Sequence, residues 1–107
     1  MKALVLLLGV LNKKIKFYNL DINSAELENV FKDNNIDYVF HLAAQPSVSF
    51  STAHPKEDAI ENIIASINVL NFSKKYNIKK FISASTAAVY GVPKKLPVDE
   101  NHDTTCL

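Results

Sequence analysis

The sequence predicts an α/β fold: part of a parallel sheet with flanking helices. Three observations carry that expectation. Short runs of β-forming residues alternate with longer runs of helical periodicity. Two strand candidates end in small or hydroxylated residues, Leu42-Ala43-Ala44 and Ser83-Ala84-Ser85-Thr86. In parallel α/β sheets the binding crevice lies at such carboxyl ends. Hydrophobic residues make up 48% of the 107 positions, enough for the core of one small unit and at most one domain.

The elements follow in order. Ala3 to Leu8 is continuously apolar and reads as a strand buried on both faces. The apolar run to Leu11 is about half of the roughly 20 residues a bilayer crossing needs. One lysine precedes it and no small-x-small site follows, so it reads as a strand rather than a leader. Lys13-Lys14 is a polar turn, and Ile15 to Leu20 a second, short strand. Asn23 and Glu26 stand at capping-box spacing, which predicts a helix over 24–34 with Leu27, Val30 and Phe31 on its inner face. Ile36 to Leu42 is the next strand, and 43–52 reads as loop.

Pro55 suits a helical first turn and opens a long helix to Tyr76. Glu57, Asp58 and Glu61 lie at its positive end and Lys74-Lys75 at its negative end. Ile60, Ile63, Ile64, Ile67 and Leu70 make an apolar stripe at helical spacing, expected to face the core. Ile78 to Ser85 is the last strand. Beyond Gly91, residues 92–107 read as a loop tail, with Thr105-Cys-Leu107 an arbitrary-looking end.

The net charge of +1 gives no reason to expect nucleic acid or an anionic membrane as partner. The single cysteine, Cys106, cannot form an internal disulfide, which fits a reducing cytoplasm. No cluster of His, Cys, Asp and Glu has metal-ligand spacing, so no metal is expected. His54 and His102 are isolated, and His41 reads as a packed strand histidine.

The chemistry concentrates in Phe81 to Gly91, F-I-S-A-S-T-A-A-V-Y-G. Small side chains there admit a planar ligand, and hydroxyls both donate and accept. S-T-A-A-V-Y-G resembles the S-[ST]-x-x-V-Y-G motif of the extended short-chain dehydrogenases/reductases, the NAD-dependent epimerase/dehydratase family. N-L-D-I at Asn19 to Ile22, H-L-A-A-Q at His41 to Gln45 and L-P-V-D-E-N-H at Leu96 to His102 resemble it too. The resemblance runs from about Asn12 to His102. It implies a Rossmann-like fold, NAD as cofactor and a nucleotide-sugar substrate. The look is nearest to epimerases that invert C4 of a UDP-sugar.

Residue by residue, the resemblance implies that Asp21 accepts a hydrogen bond from the adenine amino group and that Ile22 packs near the base. Asp21 as a helix-start residue is the plainer alternative. Leu42, Ala43 and Ala44 would line the passage of ribose and pyrophosphate; close packing alone also accounts for them. Asn62 interrupts a helix interior, where asparagine is mildly unfavourable. It matches a family asparagine that shapes the cofactor site, or it satisfies a neighbouring loop. Ser85 would sit beside the nicotinamide. Thr86 is the catalytic candidate, binding the sugar hydroxyl and relaying its proton toward a tyrosine. Tyr90 reads as packing.

The chain departs from the family pattern twice. Its only glycines are Gly9 and Gly91, so Gly9 stands without the rest of a G-x-x-G-x-x-G phosphate loop. No helical Y-x-x-x-K is present. Tyr76 with Lys80 straddles a helix end, and Tyr90 with Lys94 encloses Gly91 and Pro93. The sequence thus reads as an internal fragment, one partial NAD-binding domain over 1–107, inactive alone. The alternatives are a dehydratase fragment, a fragment of an epimerase of UDP-glucuronate, or a non-catalytic remnant or docking module. Dehydratases of the family usually place an acid where Ala87 and Ala88 stand, which favours an epimerase. A truncated half-sheet also predicts self-association or homo-oligomers.

Overall fold

A computed structural model describes the backbone of residues 2–8 and 15–104, and side-chain surroundings for 16–104. The burial expected of Ala3 to Leu8, Gly9, the Lys13-Lys14 turn and Cys106 lie outside the described residues.

Strands β1 (Lys2–Leu8) and β2 (Ile15–Asp21) pair with each other, and β3 (Tyr38–His41) pairs with β4 (Lys80–Ser83). The second pair is parallel, with Tyr38 opposite Lys80 and His41 opposite Ser83. That is the α/β arrangement the sequence predicts: two parallel strands joined through helices. The first pair is not parallel. β1 runs antiparallel to β2, Leu8 opposite Ile15 and Lys2 opposite Asp21. The expectation of one parallel sheet is corrected there, because no helix among the described residues separates β1 from β2. Strands joined by a short connection can only turn back on each other.

Helix α1 (Leu27–Lys32) is shorter than expected. The capping box does not form: Glu26 occupies the cap position without a side-chain hydrogen bond. Asn23 points elsewhere, its Nδ2 donating to the Ile60 carbonyl at 3.4 Å and its Oδ1 accepting from Asn68 at 3.1 Å. Leu27, Val30 and Phe31 are buried as expected. Within the stretch read as loop, α2 (Val48–Ala53) forms, capped by the Ser47 hydroxyl, which accepts from the Phe50 N–H.

The long helix is present but interrupted. It comprises α3 (Pro55–Ala59), a π-helical turn (Ile60–Ile64) and α4 (Ala65–Lys75). The Ala65 N–H reaches back five residues to the Ile60 carbonyl. The core-facing residues are Ala65, Val69 and Ser73, not the isoleucine stripe. Ile63 is 58% exposed and Leu70 47%. The stripe is thus corrected to a surface. Ala65, Val69 and Ser73 are buried on the inner face and Phe72 packs against the core beside them, while the isoleucine stripe is left outside.

The core joins Ile22, Leu27, Phe31, Ala65 and Val69, with Leu20, Val39, Ala43, Phe72 and Phe81 packed against it. Phe31 stacks obliquely on Phe72 and Tyr76 at 5.8 and 6.1 Å. Across α1 and α4, Glu28 accepts from Lys75 and from the Tyr76 hydroxyl. Both bonds hold the Glu28 carboxyl below its ordinary range, Lys75 foremost.

Candidate functional site

The carboxyl ends of β2, β3 and β4 carry the predicted residues apart from Asn62, which lies in the π-turn. At the end of β2, Asp21 Oδ1 accepts from the Asn23 N–H at 2.8 Å, a tight turn that holds the carboxyl below its usual range. Ile22 is only 3% exposed and belongs to the core cluster, so its side chain serves packing first. Ser24 Oγ, in the same turn, is buried with no hydrogen-bond partner among the described residues.

At the ends of β3 and β4 the backbone continues in parallel register, the Ala84 N–H donating to the His41 carbonyl at 3.2 Å. Leu42 is 71% exposed, Ala44 is exposed and Ala43 half-buried against the core. Beside them Ser85 and Thr86 are exposed. The result is an open shelf of small and hydroxylated residues.

Asn62, in the π-turn, ties this shelf to the long helix. Its Oδ1 accepts from the Gln45 N–H at 2.7 Å and its Nδ2 donates to the Gln45 carbonyl at 3.2 Å. The same Nδ2 donates to Asp58 at 2.8 Å. Asp58 also accepts from the Ser51 hydroxyl at 2.6 Å, and Ser51 from Gln45 Nε2 at 3.1 Å. Asn62 therefore satisfies a neighbouring loop, the one that follows β3.

His41 is a packed histidine, as expected, 8% exposed. Its ring lies 5.9 Å from that of Phe81, its Nε2 is 2.9 Å from Ser66 Oγ, and burial pushes its pKa down. Asp58 and Ser66 were not legible as partners of this shelf, and Gln45 only as the last residue of H-L-A-A-Q. The one signal for the helical pair is spacing: Asp58, Asn62 and Ser66 recur every four positions.

Thr86 caps a short 3-10 turn (Ala87–Tyr90), its Oγ1 accepting from the Ala88 N–H at 3.2 Å. That bond fixes the oxygen and leaves the O–H as a donor. Tyr90 packs edge-on against His102 at 5.9 Å, in keeping with a packing role. Neither Tyr-Lys spacing forms a pair: the Tyr76 hydroxyl goes to Glu28, and Lys94 Nζ to Asp103 at 2.6 Å. Among the described residues no group of three His, Cys, Asp or Glu could hold a metal, and no helix is long and apolar enough to cross a membrane.

The profile of the NAD dependent epimerase/dehydratase family matches residues 6–106. The chain belongs to that family. It is 41% identical over 93 residues to the UDP-glucose 4-epimerase of Caenorhabditis elegans, covering 86% of this chain and 27% of that protein. A putative UDP-glucose 4-epimerase of Methanocaldococcus jannaschii is also 41% identical, over 86% of this chain and 30% of the relative. Among solved structures, the Bifidobacterium longum UDP-glucose 4-epimerase in complex with NAD+ and UDP aligns at a TM-score of 0.68 and 42% identity, over 82% of this chain and 27% of that one. The Thermotoga maritima enzyme with UDP-glucose gives 0.69 and 41%, over 91% and 32%. The chain therefore spans about a third or less of these relatives' length.

Members of the NAD dependent epimerase/dehydratase family use NAD. The β2–α1 turn offers a carboxylate and, at Ser24, an orphaned buried hydroxyl beside it. The β3 and β4 ends offer an exposed shelf of Leu42, Ala44, Ser85 and Thr86. These fit a dinucleotide's adenosine and nicotinamide ends. For the pyrophosphate, no helix N-terminus follows β1 among the described residues.

Proposed function

We propose that this chain is the cofactor-facing part of an NAD-dependent sugar-nucleotide epimerase, an isomerase of UDP-sugars with UDP-glucose as the first candidate. Residues 1–107 form one partial NAD-binding domain and 92–107 its loop tail. The observation that carries the proposal is the Thr86 hydroxyl, held by the Ala88 N–H beside the small-residue shelf. Bound NAD supplies reversible hydride exchange at the sugar carbon. Asp21 would hold the adenosine end, with Ile22 supporting it from the core. Leu42, Ala43 and Ala44 would form the passage floor, Asn62 would set that floor's position, and Ser85 would face the nicotinamide. Thr86 would donate to the sugar hydroxyl and steer its proton toward a tyrosine base. No helical Tyr-x-x-x-Lys lies within these residues, so the isolated chain should not turn over and should bind NAD weakly. A reducing cytoplasm is the compartment this reading implies.

The test is a chimaera in which residues 15–104 replace the matching segment of a full-length relative. Interconversion of UDP-glucose and UDP-galactose by the chimaera supports the proposal. A folded, NAD-loaded chimaera that does neither epimerisation nor half-reaction would overturn it; turnover by the isolated chain would overturn its expected inactivity, and a micromolar dissociation constant for NAD its expected weak binding. Ala87 and Ala88 in place of an acid argue against the dehydratase alternative.

A second reading, docking or self-association, is favoured by one observation: the exposed stripe Ile60, Ile63, Ile64, Ile67 and Leu70. Sedimentation of the chain across concentration tests it, and a monomer throughout counts against it. Chromatography with a full-length relative asks whether the stripe takes a homologue instead.

A further inference from the structure

The His41–Ser66 pair joins the last residue of β3 to α4. The Ser66 hydroxyl lies 2.6 Å from the Asn62 carbonyl, four residues back, and 2.9 Å from His41 Nε2. A hydroxyl has one proton and a carbonyl can only accept. Ser66 therefore donates to Asn62, and its lone pairs must accept from His41. That requires the proton on Nε2. Burial disfavours the imidazolium and lowers the ring's pKa, so the geometry calls for a neutral ring with its proton on Nε2.

The relay ends at a specific place. The Asn62 carbonyl belongs to the π-turn, where backbone pairing is shifted by one residue. The Asn62 side chain holds both the N–H and the carbonyl of Gln45. His41 itself is the last residue of β3, immediately before Leu42. The strand end is thus held twice: directly along the chain, and through Ser66, Asn62 and Gln45. We infer that His41 and Ser66 are positioning residues. Their hydrogen-bond relay fixes the π-turn, and through Asn62 it sets the height of the Leu42–Gln45 shelf. The connection to cofactor rests on the proposed function; the connection to Gln45 does not.

The experiment uses the 107-residue chain labelled with 15N. Imidazole nitrogen shifts report the His41 tautomer, and hydrogen exchange reports the Gln45 N–H. Variants are Ser66→Ala, which removes the relay, and Ser66→Thr, which keeps the hydroxyl. The expected wild-type result is a neutral Nε2–H ring. Ser66→Ala should lower Gln45 protection about tenfold, the loss typical of one partly buried hydrogen bond, while Ser66→Thr retains it. Protection at Phe31, in the core, should stay unchanged in both. An Nδ1–H ring in the wild type would overturn the inference. So would Ser66→Ala leaving Gln45 unchanged, or lowering Gln45 and Phe31 together. NAD is then titrated into the same samples. If wild type shows no shift at Ala44 or Ser85 at any NAD concentration, the cofactor reading falls, and the Gln45 result still decides the relay. If wild type does shift, Ser66→Ala should weaken that response and Ser66→Thr restore it.

Discussion

Replacing Asn62 by alanine tests the join between shelf and helix. The substitution removes three hydrogen bonds, two to the Gln45 backbone and one to Asp58. Neutral intramolecular bonds contribute about 0.5–1.5 kcal/mol each, and a bond to a charged group somewhat more. The site is half-buried, so water can replace part of what is lost. Together the three come to about 3 kcal/mol. Alanine recovers about 0.5 kcal/mol through its higher helix propensity. The loss wins, leaving a destabilisation of about 2–3 kcal/mol, a large share of what a domain of this size possesses. In urea this is a midpoint shift of about 1 M or more. A shift below about 0.3 M, with unchanged slope, would refute the reasoning. It would mean that the loop finds equivalent partners without Asn62. Asn62→Asp is the sharper companion, since it sets a second carboxylate against Asp58. Pairing it with Asp58→Asn should recover much of the loss.

Four further outcomes follow. Leu27→Ala should cost about 2–5 kcal/mol, because Leu27 is 2% exposed in the core, whereas Ile63→Ala should change stability by less than about 1 kcal/mol; equal losses by denaturation would restore the isoleucine stripe to the core. The pH dependence of unfolding should carry a His41 signature. Burial lowers its pKa in the folded state, so the unfolded chain binds the extra proton; the contribution is full above the ordinary value of 6.5 and is lost as pH falls below it. His41→Gln keeps a donor at that end and should flatten the slope between that value and the folded one, and an unchanged slope would remove His41 as its source. Thr86→Val in the active chimaera should lower kcat about a hundredfold while leaving KM little changed, the range of general acid–base assistance; an unaltered kcat would take Thr86 out of the proton path.

How much of this was legible depends on the range over which each signal acts. Strand positions were legible to within two residues, because local β propensity and strand ends depend on neighbours in sequence. The pairing of β1 with β2 was not: strand identity says nothing about direction when the connecting segment is the part that departs from the family. Asp21, the Leu42–Ala44 run, Ser85 and Thr86 were singled out by the family resemblance, and each lies at or just beyond a strand's end, where such folds bind ligands. Ile22 was harder, because an apolar residue at a strand end can face either ligand or core, and here it is buried with Leu27 and Ala65.

The long helix shows why pattern alone chose the wrong face. Hydrophobic periodicity assumes that the larger apolar side points inward. Here the inner side is Ala65, Val69 and Ser73, with Phe72 packed against the core from the same helix. A π-turn lies just before them, and nothing in the composition of Ile60–Ile64 announces it. Its partners explain it only once the fold is assembled. Asn62 needs Gln45 from the β3 loop, and Ser66 needs His41 from β3 itself. The residues that specify the turn lie 17 and 25 positions away. A polar residue that breaks an apolar helix stripe is therefore better read as half of a tertiary contact than as a local defect. At this site that contact holds the loop on which the proposed chemistry depends.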